Sequence, residues 1–372
     1  MTATAALDTL APATGSPAST TLDTYRLLGR SGLRVSPLSL GTMTFGSEWG
    51  WGADKVESRR MFDAYVDRGG NFVDTANQYT KGTSERFVGD FAKGRRDRLV
   101  IATKYTMAVE DGDPNSGGNH RKSMMRSVER SLEHLQTDYI DLLYLHVWDG
   151  LTPAEEILRG LDDLVRAGKV LYVGISDTPA WQVSRMQAIA DLRGWSPLVA
   201  LQVEYSLIER TVERELVPMA RDLGLGVLPW SPLGSGVLTG KYSRADLAAG
   251  DGTPDPTGTR RNVAAAAGSL TERSLAIADV VGEVAAETGH SRAQVALAWT
   301  LLEPAVTSTI LGARTLDQLE DNLGALDVTF TPEQRARLDQ VSAVDLGFPH
   351  RFLRSEMPRN LMFGGTTILP RR

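Results

Sequence analysis

Four residues stand where apolar runs end: Asp74 closes NFVD, Tyr79 follows five residues later, Lys104 ends RLVIATK and His146 ends YIDLLYLH. A phenol ionises at a pH of about 10, too high for easy exchange at neutral pH, but a neighbouring ammonium stabilises the phenolate. Lys104 can supply that charge, and Asp74 can pair with Lys104 and keep it protonated in a partly dry cavity. His146 can donate a hydrogen bond to a carbonyl oxygen or relay a proton. Together these groups can protonate an oxyanion as it forms, with no metal required. Singly, each has an ordinary explanation: a helix cap or salt bridge, a rim tyrosine, a solvated strand end, a hydrogen-bonded rim histidine. Their conjunction on three consecutive runs is what points to a site.

Such groups converge only if the runs are neighbouring strands with a common direction. Strand-like runs are expected at about 37–43, 71–74, 98–103, 139–145, 170–175, 198–203, 225–230 and 305–310. Helix-period segments lie between most of them, at 54–68, 83–92, 119–136, 153–167, 179–192, 209–223 and 315–324. Thr152-Pro153 before AEEILRGLDDLV is a start signal, with a capping hydroxyl and then proline in the first turn. Alternation of this kind requires parallel pairing with right-handed crossovers. Eight units favour a closed α/β barrel, the (β/α)8 TIM barrel, over an open doubly wound sheet. An open sheet usually shows G-x-G-x-x-G after its first strand, where LGTMTFG stands here.

The barrel is expected over residues 23–345, entered through an N-terminal hairpin signalled by GRSG. Residues 1–22 are small, polar and aperiodic, the pattern of a disordered leader. Residues 346–372 form a C-terminal tail expected near the active-site mouth. The stretch 234–270 is rich in Gly, Pro and charge and reads as a long loop after the seventh strand, on the barrel face where active sites of this fold lie.

Composition narrows the chemistry. The 372 residues contain no cysteine, so thiolate metal sites, iron–sulfur clusters and cysteine nucleophiles are excluded. Five histidines with no HExxH spacing make a zinc site improbable, and a metal-dependent hydrolase or lyase would need ligands at several strand ends. Net charge −6 without a long basic run argues against a nucleic-acid or anionic-membrane partner. No apolar stretch is long enough to span a bilayer, so the expectation is a cytoplasmic protein.

The strings GGNFVDTANQY, IATKY, DLLYLH, GISD, LQVEYSL, LPWSPLGSGVLTGKY and ILGARTLDQLEDNL, in that order, resemble the signature segments of the aldo-keto reductase superfamily, in its aryl-alcohol dehydrogenase-like and potassium-channel-β-like branch. The likeness runs from Tyr25 to Phe330. It implies a catalytic tetrad of Asp74, Tyr79, Lys104 and His146, with Tyr79 as proton donor while hydride passes from NADPH to the carbonyl carbon. It further implies that Gly41, Thr42 and Met43 adjoin the cofactor, and that Ser176, Asp177 and Gln202 contact the nicotinamide amide. Asp177 stands where the family more often has Asn, and an ionised carboxylate only accepts hydrogen bonds. Trp230 would stack on the ring, where many members have Tyr.

The resemblance assigns Ser231, Leu233, Gly234, Gly236 and Lys241 to the pyrophosphate. Gly312, Arg314, Gln318, Asp321 and Asn322 fall to the adenosine end, where Arg314 can grip a 2′-phosphate bidentately and favour NADP over NAD. On the substrate side Trp49, Tyr105 and Trp148 are expected to wall the pocket, Trp148 above the others. The implied activity is NADPH-dependent reduction of a small-molecule aldehyde or ketone. The alternatives are an NADPH-binding redox-sensing regulatory subunit of channel-β type and a nucleotide-deoxysugar ketoreductase of specialised metabolism. Homo-oligomerisation is left open.

Overall fold

The computed structural model describes residues 20–248 and 261–366. Most of the expected leader therefore lies outside the described residues, as does the middle of the 234–270 stretch. Two short antiparallel strands, β1 (Arg26–Leu27) and β2 (Arg34–Val35), form the expected hairpin. Eight parallel strands follow: β3 (Leu38–Gly41), β4 (Phe72–Asp74), β5 (Val100–Tyr105), β6 (Ile140–Leu145), β7 (Val170–Ser176), β8 (Leu198–Glu204), β9 (Gly226–Trp230) and β10 (Thr309–Gly312). They pair in chain order with β10 returning to β3. Backbone bonds between Val227 and the 305–307 segment bring β9 against the approach to β10, so the barrel is nearly closed. This is the (β/α)8 architecture the alternation predicts.

Between the first strands run α1 (Lys55–Asp67), α2 (Thr83–Ala92), α3 (Arg121–Leu135), α4 (Ala154–Arg166), α5 (Ala180–Arg193) and α6 (Leu216–Leu223). The core between strands and helices is continuous, from Leu22 and Leu38 through Ile101, Leu143 and Leu201 to Leu311. Burial of Leu22 starts the packed chain just inside the expected leader. A second cluster of Leu28, Val35, Phe72, Val100, Leu142 and Val199 joins the hairpin to the barrel interior, so the hairpin plugs the end where the strands begin. The opposite end, where the strands finish, is open for chemistry.

Three expectations need correction. The helix at 209–223 is shorter: a 3-10 turn at Thr211–Glu213 precedes α6. Pro218 has no N–H to give, which suits only a first turn and sets the start at Leu216. The last strand lies at Thr309–Gly312 rather than 305–310, and Val306 contributes only a bridge to Val227. The stretch after β9 is not a plain loop. Its described residues form a 3-10 turn (Gly234–Thr239), α7 (Arg244–Ala248) and α8 (Arg261–Ala266), held by a small cluster of Val237, Tyr242, Ala264, Leu270 and Leu275. Two helices the periodicity left unread follow, α9 (Glu272–Thr288) and α10 (Arg292–Thr300), then the expected α11 (Leu316–Leu323) and the likewise unread α12 (Pro332–Val341). The tail forms α13 (His350–Arg354) and α14 (Glu356–Phe363), tied to the strand-end face by His350 Nε2 and Glu215 at 2.8 Å. None of its described residues lines the cavity at the barrel mouth, and Phe348, Phe352 and Phe363 are exposed.

Candidate active site

Parallel register sets the strand ends level. Asp74 pairs with Ala102, Lys104 with Tyr144, Ser176 with Gln202, and Gly41 with Gly312. Each strand thus delivers a polar or small residue to one rim, around a cavity of about 830 Å³. That volume suits a large ligand. Gly41 is needed there because a Cβ would meet the Leu311 carbonyl of the neighbouring strand at 2.8 Å.

Lys104 is wholly buried, and its ammonium spends all three protons. It donates to Asp74 Oδ1 at 2.6 Å, to the Thr75 carbonyl at 2.9 Å and to Tyr79 Oη at 3.1 Å. Gln202 Nε2 donates to the other oxygen of Asp74 at 2.9 Å. Thr42, fully buried, bonds the Asp74 carbonyl with both its N–H and its hydroxyl. Thr42 therefore braces Asp74 from behind and does not line the cavity.

Tyr79 opens a turn whose next residues, Thr80 (φ 47°) and Lys81 (φ 54°), sit in the left-handed region, a strained arrangement for residues with side chains. Thr80 Oγ1 fastens it by donating to the Phe45 carbonyl at 2.6 Å. The phenol ring meets the His146 ring edge-on at 5.9 Å and the Trp49 ring at 6.3 Å.

Burial dominates the electrostatics. It raises the Tyr79 phenol above its ordinary pKa, against the pull of Lys104, so the group is a neutral proton donor rather than a phenolate. Ammonium stabilisation of the phenolate, expected from the residue types, is present but outweighed by desolvation. Burial alone would lower Lys104, but Asp74 and then Tyr79 lift it, and the net direction is up. His146 is pushed down to about 3 by burial and then by Lys104, so its imidazole is neutral. The arrangement is a neutral phenol backed by a fixed cation, with a neutral imidazole beside it.

Of the residues expected to bind, Gly41, Met43, Ser176, Asp177, Gln202, Trp230, Ser231, Leu233, Gly236, Lys241, Gly312, Arg314, Gln318, Asp321 and Asn322 line this cavity, as does Trp49. Gly234 does not; it forms the turn behind it, its N–H donating to the Ser231 carbonyl. Two expected substrate residues are misplaced. Tyr105 is fully buried in the core beneath the helices, with its hydroxyl donating to the Asn119 carbonyl at 3.3 Å. Trp148 packs on the same core outside the cavity lining. Met107 takes a place on the wall, together with Thr44, Gln78, Ser291 and Arg292. The S-x-x-Q capping box at Ser291–Gln294 was a readable sign that a helix N-terminus opens at this point.

The site fits a nicotinamide dinucleotide on several counts. Ser176 Oγ and His146 Nδ1 are buried polar atoms with no hydrogen-bond partner among the described residues, on the same cavity as the Trp230 indole and the Tyr79 phenol. From there the cavity runs past Ser231 (φ 51°) and Ser235 (φ 53°), whose left-handed backbone favours anion-binding concavities, to Lys241 and Arg314. Gly236 takes φ 89°, a backbone conformation that a side chain would strain, and the end of Lys241 lies against it. Among the described residues no cluster suits a metal ion, and no helix is long and apolar enough to cross a membrane.

A parallel barrel carrying buried lysine and aspartate and a half-buried tyrosine at its mouth, open to a dinucleotide-sized cavity, defines a class of oxidoreductase. The aldo/keto reductase family profile matches residues 37–343, and the chain belongs to that family. It is 37% identical over 345 residues to a norsolorinic acid reductase of Aspergillus flavus, covering 90% of this chain and 85% of that one. It is 38% identical over 336 residues to an aryl-alcohol dehydrogenase [NADP(+)] of Phanerodontia chrysosporium, covering 86% of each. A further relative, the aldo-keto reductase ausK of Aspergillus calidoustus, is 38% identical over 367 residues, covering 94% of this chain and 89% of that one.

Proposed function

We propose that this protein reduces aryl or otherwise apolar aldehydes and ketones to alcohols with NADPH. The observation that carries the reading is the Asp74–Lys104–Tyr79 chain of hydrogen bonds, which ends with its phenol at the cavity. When bound, the reduced nicotinamide supplies the hydride. Tyr79 Oη donates its proton to the carbonyl oxygen as negative charge gathers there. Lys104 faces the phenolate that remains, and Asp74 keeps Lys104 charged throughout. His146, neutral at physiological pH, fixes the same oxygen with its ring N–H. Ser176 and Trp230 hold the nicotinamide, with Gln202 split between that ring and Asp74. Ser231, Leu233, Gly236 and Lys241 take the pyrophosphate. Arg314, Gln318, Asp321 and Asn322 hold the adenosine end, with Arg314 on the 2′-phosphate.

The substrate wall is Met43, Trp49, Met107 and Trp230, apolar and aromatic, and this supports flat hydrophobic carbonyls. Names of the relatives, an aryl-alcohol dehydrogenase among them, agree with that class. The test follows NADPH oxidation with a panel of benzaldehydes, aryl ketones and aliphatic aldehydes. Multiple turnover with aryl carbonyls preferred is the expected result. Tight nucleotide binding with no turnover on any carbonyl would instead mark a redox-sensing binder and overturn the proposal.

A further inference from the structure

Asp177 follows Ser176, the last residue of β7, in a left-handed conformation (φ 37°), and is exposed on the cavity wall. Its Oδ1 accepts the indole N–H of Trp230 at 3.0 Å. The carboxylate thus has one oxygen already engaged. It is clamped to the rim of the aromatic surface against which a nicotinamide would lie. Around it the charges do not balance. Lys104, whose charge acts on Asp177, is already paired with Asp74 at 2.6 Å. Tyr79 and His146 are neutral. Glu204, aligned with Trp230 in the next strand pair, supplies no balancing cation; burial and then Glu209 and Asp177 push its carboxyl up to about 7. With Asn at position 177 the group of Asp74, Lys104, Tyr79 and His146 would carry no net charge; an ionised Asp177, its carboxyl raised by burial, adds one negative charge to it.

Oxidised and reduced nicotinamide have nearly the same shape, and they differ chiefly in one positive charge delocalised over the oxidised ring. A fixed carboxylate at the ring's edge distinguishes them by Coulomb attraction alone. We infer that Asp177 makes this site hold oxidised NADP more tightly, relative to NADPH, than an uncharged residue would, and so favours hydride leaving the cofactor. This inference rests on the cofactor reading given above. Asp177 is then a determinant of redox-state preference, and its bond to Trp230 is what holds the charge in place.

The experiment compares dissociation constants of NADP+ and NADPH, by calorimetry at mildly alkaline pH, for the wild type, Asp177→Asn and Asp177→Glu. Asn adopts left-handed backbone readily and retains an oxygen acceptor for the indole N–H, so the substitution removes charge and little else. Asp177→Asn is expected to weaken NADP+ by on the order of fivefold, for one charge pair in a partly screened site, while NADPH stays within about twofold. Asp177→Glu is expected to keep most of the wild-type preference. Equal changes for both nucleotides, or an unchanged ratio in Asp177→Asn, would overturn the inference while leaving the cofactor site intact. A wild-type protein that binds neither nucleotide would instead remove the cofactor reading, and this inference with it.

Discussion

The two ends of the cavity are built differently. At the chemical end, Asp74 and Lys104 are 2% and 0% exposed, come from the tips of adjacent strands, and bond each other, Tyr79, the Thr75 carbonyl and Gln202. At the far end, Ser231, Ser235 and Gly236 curve the backbone through the left-handed region, Lys241 is exposed and Arg314 half-buried. The first end fixes charge in a dry place, where geometry cannot relax. The second offers long, more exposed cations beside a turn whose own N–H groups are spent within it, Ser235 on Ser231 Oγ and Gly236 on the Leu233 carbonyl. Proton transfer demands the first kind of construction, whereas gripping phosphate requires only the second. Mutations at the two ends should therefore fail in different ways.

The largest separation is expected from Tyr79→Phe. Loss of the hydroxyl removes the proton donor, and reduction should fall by on the order of a thousandfold. NADPH affinity should stay within a few fold, because the phenol is not needed to hold the nucleotide. Steady-state rates together with a nucleotide titration check both halves; near-normal turnover would mean that another group protonates the oxygen.

Lys104→Met tests the dry end through stability. It strands a buried carboxylate, and breaking a buried pair costs about 3–5 kcal/mol. Urea unfolding should show that loss, and Asp74→Asn added to Lys104→Met should recover part of it. Lys241→Met, at the solvated end, should leave stability unchanged within about 0.5 kcal/mol. Equal losses at the two lysines would dissolve the contrast.

His146 makes the same point through pH. Its native pKa of about 3 lies below the ordinary histidine value. Between the two, the unfolded chain binds a proton that the folded one refuses. The histidine's contribution is therefore complete above a pH of about 6.5 and is lost as pH falls toward the native value. The difference in unfolding free energy between wild type and His146→Gln, followed from neutral to acid pH, should narrow in that window. A pH-independent difference would place the imidazole in contact with solvent.

How much of this was legible follows from the same contrast. The strand-end residues were readable because polar residues closing apolar runs are rare, and parallel register brings such ends together. Tyr105 was misread against a rule already available: successive strand residues face opposite ways. Lys104 toward the barrel mouth therefore sends Tyr105 toward the helices, where it packs. Thr42 between Gly41 and Met43 fails to reach the cavity for a related reason. The net rise of the Tyr79 pKa was not legible, because residue types announce a neighbouring charge but not the depth of burial that outweighs it. Helices α9 and α10 went unread where the apolar periodicity is shallow, yet the N-terminus of α10 furnishes Ser291 and Arg292 to the far wall.

The smallest effect concerns that far end. Arg314 lines the cavity just before α11, its backbone N–H held by Gln318 Oε1 at 2.9 Å. A half-solvated guanidinium on a phosphate forms a charge-assisted pair, screened by salt but doubled by its fork. Arg314→Ala should raise the dissociation constant for NADPH by about tenfold, the equivalent of about 1.4 kcal/mol, and leave NADH nearly unchanged. The maximal rate at saturating NADPH should hold, since nothing at the dry end has moved. The loss should also shrink at high salt, unlike any loss at Lys104, whose partners are shut away from the ions. Parallel losses for both nucleotides would mean that Arg314 shapes the helix start and does not read the 2′-phosphate. A loss indifferent to salt would move Arg314 into the dry class and blur the division between the two ends.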